Sequence, residues 1–208
     1  MFDKQHDNSE TVTGGEENRN GKDRHQRKLS LDGVIQDPSG EEGFRLGGWV
    51  GQIKDRDAVG KVVLDEALGA AALLFGRVSY EFFAARWPSR CGELADRLNS
   101  LPKYVVSSTL EDPDWNNSTV LKRDLVREVS KLKQELNGEI VVYGSIQLVR
   151  TLMEHDLVDE LRLLIYPVVL GAGERLFGET SDKRPMRLIG TPSGDDVASL
   201  TYEPVRDA

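Results

Sequence analysis

The sequence predicts an α/β protein, a mostly parallel sheet between helical layers, and three observations predict it. Short β-branched runs alternate with stretches of helical spacing along most of the chain. Two of those runs end in a glycine that opens a helix at once, at Gly76 and at Gly144. The last two runs, from Met186 to Gly190 and from Ala198 to Tyr202, have few helical residues between them and read as an antiparallel hairpin at the sheet's edge.

Taken in order, residues 1–28 read as a disordered polar tail. Met1, Phe2 and Val12 are nearly its only apolar side chains before Leu29, so nothing repays the entropy of ordering it. Its acids and bases balance, which makes it neither a basic arm nor an acidic one. The folded domain is expected at 29–208. Ser30-Leu-Asp-Gly-Val34 leads into a polar, glycine-rich loop over 36–51, long enough to be a lid or a binding segment. Asp55 to Leu68 carries Val59, Val62, Val63 and Leu68 at helical spacing, and Gly69 fits its end. Ala71 to Phe75 is a buried strand, after which Gly76-Arg-Val-Ser-Tyr80 opens a helix with Tyr80, Phe83 and Ala84 on one face. Lys103 to Thr109 reads as a third strand ending in hydroxyls. A polar turn follows, and Leu121, Leu125, Val129, Leu132 and Leu136 mark a helix closed by Asn137-Gly138. Ile140 to Tyr143 suits a strand covered on both faces, and beyond Gly144 the residues Ile146, Val149, Leu152 and Met153 recur at helical spacing. Glu160 to Tyr166 is a strand stopped by Pro167.

Composition narrows the partners. A net charge of -8 over 208 residues argues against a nucleic-acid backbone or an acidic membrane. Cys91 is the only cysteine, so no intrachain disulfide is expected, and without a long apolar run or a signal pattern the expected compartment is the cytoplasm. His6, His25 and His155 fit no metal-ligand spacing, so no metal site is expected.

Three strand ends present Gly76-Arg77-Val78-Ser79, Ser107-Ser108 and Gly144-Ser145. Two helix N-termini, an arginine and a hydroxyl pair suit a ligand with several phosphates. Together with Ser30 to Val34, Leu74 to Glu81, Val105 to Ser108, Val141 to Ser145 and Asp159 to Gly173, they carry a family resemblance. The chain resembles the dihydrofolate-reductase-like family, most closely the reductase domain at the C-terminus of the bifunctional riboflavin-biosynthesis deaminase-reductase. The resemblance implies a three-layer α/β/α fold, a homodimer and an NADPH-dependent reductase. Hydride would pass to a small heterocyclic or ribosyl substrate, with 5-amino-6-(5-phosphoribosylamino)uracil as the class example. By position, Gly76, Arg77, Val78 and Ser79 resemble the helix start that holds cofactor phosphates, and Ser107 with Ser108 the hydroxyl pair near the adenosine 2′-phosphate. Gly144, Ser145 and Ile146 resemble the turn under the pyrophosphate. Asp32 falls where a polar contact to the reacting ring is expected, as the candidate catalytic residue, and Trp49 where a side chain would wall the substrate pocket.

The chain departs from that pattern in three places, the first being Gly144-Ser145 where the family has paired glycines. No acid between Asp55 and Glu66 falls at the spacing of the carboxylate that anchors a pterin, which argues against the alternative of a dihydrofolate or pteridine reductase. Where an apolar interior strand is expected stands Arg24-His-Gln-Arg-Lys28, so either a polar segment is forced into the slot or the sheet is incomplete. A non-catalytic nucleotide- or partner-binding member of the fold is the other alternative.

Overall fold

The computed structural model describes residues 21–52, 56–178, 183–191 and 196–206. Its eight strands are β1 (Lys22–Ser30), β2 (Ala70–Gly76), β3 (Lys103–Val106), β4 (Ser118–Leu121), β5 (Glu139–Tyr143), β6 (Glu160–Tyr166), β7 (Met186–Gly190) and β8 (Ala198–Pro204). The helices are α1 (Arg56–Gly69), α2 (Arg77–Ala84), α3 (Glu93–Ser100), α4 (Leu125–Glu135) and α5 (Ile146–Glu154). All strands join one sheet in the order β4-β3-β2-β5-β1-β6-β8-β7. The first six in this order pair in parallel, whereas β8 runs antiparallel to both β6 and β7. On one face Leu73, Phe75, Val141 and Tyr143 pack with Ala67 of α1, Tyr80 of α2 and Leu98 of α3. On the other, Ile140, Val142 and Leu161 meet Val129 and Leu132 of α4 and Val149 and Leu152 of α5. This is the expected three-layer α/β/α architecture with an antiparallel C-terminal hairpin. No helix among the described residues is long and apolar enough to cross a membrane.

The sheet is complete because the polar run is inside it. β1 begins at Lys22, which corrects the domain start expected at 29; residues 1–20 lie outside the described residues. Ladder hydrogen bonds come from the backbone, whatever the side chains, and an empty slot between β5 and β6 would cost about 1–3 kcal/mol for each polar group left unpaired. The side chains pair off around that constraint. His25 Nε2 lies 3.1 Å from Asp23 Oδ2, both fully buried. Arg24 bridges Glu139 and Glu160, and Arg162 joins Glu160 at 2.6 Å to Glu66 at 3.2 Å.

Two elements escape the sequence pattern. Ser118 to Leu121, expected as turn and helix, adds the edge strand β4 to β3 in the register Tyr104 to Thr119. Helix α4 starts only after Asp124, whose carboxylate accepts from the Arg127 N–H at 3.3 Å. α3 buries only Ala95 and Leu98, too few apolar residues to announce its period.

Candidate functional site

The site follows from unequal strand pairing. β5 pairs with β1 only from Lys22 to Gln26, whereas β6 pairs with it from Arg24 to Ser30. Beyond Gln26, therefore, the side of β1 that faced β5 lies open, and the crevice at the carboxyl ends of the strands deepens into a cavity of about 800 Å³. Both strand-glycine-helix turns line it, with Gly76, Arg77, Val78 and Ser79 from one and Gly144, Ser145 and Ile146 from the other.

The two turns are stitched to each other. The Gly76 N–H donates to Ser145 Oγ at 2.6 Å, and the Ser145 N–H donates to Ser79 Oγ at 2.6 Å. So close an approach leaves no room for a side chain at Gly144, where φ is +61° and a Cβ would meet Ser79 Oγ at 2.6 Å. Ser145 itself holds φ 59°, a left-handed conformation uncommon outside glycine. Neither α2 nor α5 has a side-chain cap. Their first-turn N–H groups and the positive ends of two helix dipoles thus converge on one cavity wall. Arg77 stands at the first position of α2, half exposed, with Nη1 at 3.0 Å from both carboxylate oxygens of Glu81.

The remaining predicted residues lie outside the cavity lining. Ser107 Oγ accepts from the N–H groups of Thr109 and Leu110 at 3.2 and 2.9 Å, closing the turn after β3, and Ser108 is exposed beside it. Asp32 accepts from the Ser30 hydroxyl at 2.7 Å and from the N–H groups of Leu170 and Gly171 at 3.1 and 2.9 Å. These bonds, the Ser30 hydroxyl first, hold its carboxyl down to about 2, which suits an acceptor and not a proton donor. Trp49 is buried edge-on against Tyr166, ring centroids 5.3 Å apart. Its indole N–H donates to the Gln36 carbonyl at 3.0 Å, so it braces a cavity-lining residue from behind.

Two parts of the site go beyond the candidate residues named from the sequence, one within the 36–51 loop already read as a lid or binding segment and one within β1. The first is the wall formed by Asp37, Pro38, Ser39, Glu41 and Glu42. The buried Asp37 carboxylate organises it, Oδ1 accepting from the N–H groups of Glu41 and Glu42 at 2.8 and 3.1 Å and Oδ2 from Phe44 at 3.0 Å. Glu41 pairs with Arg86, whose guanidinium lies 3.7 Å over the Phe82 ring. Asp37 before Pro38 was the available signal, an acid at a turn. The second is the floor, where Gln26, Arg27 and Lys28 of β1 face the cavity beside Tyr143. Phe83 stacks on Tyr143, ring planes 8° apart, and on Trp87, making an aromatic side wall.

Residues 26–197 match the model of the family described as the RibD C-terminal domain. The chain is 32% identical over 136 residues to the uncharacterized protein YyaP of Bacillus subtilis (strain 168), covering 62% of this chain and 72% of that relative. Among solved structures it is similar to a Shewanella sp. PV-4 protein provisionally named for riboflavin biosynthesis, with a TM-score of 0.70 and 23% identity over 89% of this chain and 99% of that one. It is similar also to the dihydrofolate reductase of Enterococcus faecalis, solved as a complex with NADP(H), with a TM-score of 0.59 and 13% identity over 89% of this chain and 97% of that one. At these identities the structural likeness is one of fold, and the fold is dihydrofolate-reductase-like. Because the family match runs from the middle of β1 to the threshold of β8, the chain belongs to the RibD C-terminal domain family.

Proposed function

We propose that the chain is a reductase of the riboflavin-biosynthesis type, using NADPH to reduce a small heterocyclic or ribosyl substrate held in the cavity. The observation that carries this reading is the stitched pair of uncapped helix starts, which offers a phosphate-rich ligand two converging sets of N–H donors. The residues fit the cofactor. Gly76 to Ser79 and Gly144 to Ile146 would hold its phosphates, Arg77 would leave Glu81 for one of them, and Ser107 with Ser108 at the next strand end would meet the 2′-phosphate. When bound, NADPH supplies the hydride. The chain's own part is positioning: the Phe83 and Trp87 wall excludes water, Trp49 fixes Gln36, and Asp32 ties Ser30 to Leu170 and Gly171 on the substrate side.

The test is titration with NADPH and with NADH, followed by nicotinamide fluorescence and by thermal shift. NADPH is expected to bind the more tightly. Arg77→Ala is expected to weaken it by about 1.5–3 kcal/mol, the loss of one charge-assisted contact. Equal affinity for both cofactors, unchanged in the variant, would overturn the reading, and tight NADPH binding without turnover of any pyrimidine or pteridine would make this a nucleotide-binding protein.

A further inference from the structure

Lys28 lies past the last pair between β1 and β5, Gln26 with Tyr143, on the stretch of β1 that β6 alone still pairs. Its own register partner is Leu164 of β6. Side chains alternate along a strand, so Gln26 and Lys28 share one face with Tyr143 and Leu164. That face is covered by α1: Ala67 packs with Tyr143, and Val59 and Val62 pack with Leu164. An interior strand has no outer surface there. Lys28 is nevertheless only half-buried and lines the cavity, so the surface it keeps opens into the cavity.

The amine at its tip is both uncommitted and reachable. Among the described residues Nζ of Lys28 makes no hydrogen bond or ion pair, and it is not sealed off as the unpartnered nitrogens of Gln26 and Arg27 are. Lys103 is the contrast. Fully buried, it donates to the carbonyl oxygens of Asn99, Leu101 and Asn116 at 3.0, 2.7 and 3.0 Å and so serves the fold. Burial lowers the pKa of Lys28, and no charge among the described residues opposes that effect. A lysine enclosed in this way gives up its proton more readily than a solvated one, and the free amine attacks carbonyl carbon.

We propose that Lys28 is a nucleophile on the floor of the cavity, binding a small aldehyde or ketone as a Schiff base. The neutral Nζ adds to the carbonyl carbon, the C=O electron pair passes to oxygen, and proton transfer gives a carbinolamine. Loss of water then leaves a C=N bond to Nζ. No oxidant or reductant takes part, and hydrolysis returns the free amine. Phe82, Phe83 and Trp87, all partly exposed, line the same cavity and suit a carbonyl attached to a flat ring. Such a site goes beyond the reductase reading and does not rest on it.

The experiment treats the full chain at neutral pH with pyridoxal, a flat aldehyde without a phosphate, reduces the imine with borohydride and maps the adduct by peptide mass spectrometry. The label is expected on Lys28 in preference to the exposed Lys61, Lys122 and Lys131. In Lys28→Met, which keeps a long apolar stem, that label and the imine absorbance of the unreduced protein are expected to be lost. Label spread over the exposed lysines of the parent with no excess on Lys28, a result that needs no variant, would overturn the proposal. So would a folded Lys28→Met protein whose imine absorbance matches the parent's. Pyridoxal carries no phosphate and no cofactor is added, so failure here leaves the reductase reading in place, and failure to bind NADPH leaves the Schiff base in place.

Discussion

Glu66 carries its carboxyl beneath α1, buried beside Arg162 and facing the Tyr143 hydroxyl. Desolvation raises its pKa to about 7 even though Arg162 pulls the other way. The same burial, next to Glu66, pushes the Tyr143 hydroxyl up and keeps it protonated. Between the ordinary carboxylate value and about 7 the folded chain therefore binds a proton that the unfolded chain does not. Stability falls as pH rises through that window, by up to about 3 kcal/mol for a shift of this size. Glu66→Gln removes the titration, so its urea midpoint is expected to differ less between pH 5 and pH 8 than the parent's. A variant with the parent's full pH dependence would show that the proton is taken up elsewhere.

At the scale of elements, β1 shows what a pattern of side chains can and cannot reveal. The glycines at 76 and 144 were legible because a strand-to-helix turn packed against a second such turn leaves little room for a Cβ, which would meet Ser145 at 3.2 Å at Gly76 and Ser79 at 2.6 Å at Gly144. β1 was not, since its place is fixed by backbone pairing with β5 and β6, while the partners of its charges lie at Glu139 and Glu160, far along the chain. β4 is four residues long at an edge, with only its register to β3 to define it. The buried pair Asp23 and His25 offers a test in two steps. His25→Ile alone strands a buried carboxylate and should cost about 3–5 kcal/mol, whereas Asp23→Val with His25→Ile replaces the pair by apolar packing and should equal or exceed the parent's stability by up to about 4 kcal/mol. Denaturant melts of the three proteins decide it, and a double variant as unstable as the single one would mean the pair is not what limits this strand.

For the molecule as a whole, the fold and the paired helix starts on one cavity wall could be read ahead of the structure, because both rest on local turns repeated in a fixed order. At the other end of the cavity the loop over 36–51 was legible as a binding segment but its folding about Asp37 was not, and the floor assembled from β1 was not legible at all. That end also bears on folate. α1 brings only Val63 to the cavity lining, and its one buried acid, Glu66, is turned to Arg162. The protein is accordingly expected not to reduce dihydrofolate at an enzyme-like rate. A robust, methotrexate-sensitive loss of NADPH absorbance with dihydrofolate would refute that expectation.

The Asp37 loop has one more consequence, for kinetics. Its carboxylate accepts from three loop N–H groups, its carbonyl oxygen accepts from those of Gly40 and Gly48, and Glu41 ties the far side to Arg86. The conformational entropy of this wall is thus lost when the chain folds rather than when a ligand arrives. An incoming molecule meets a finished surface, so its rate of association is set by diffusion and orientation at the mouth, without a slow step of loop ordering.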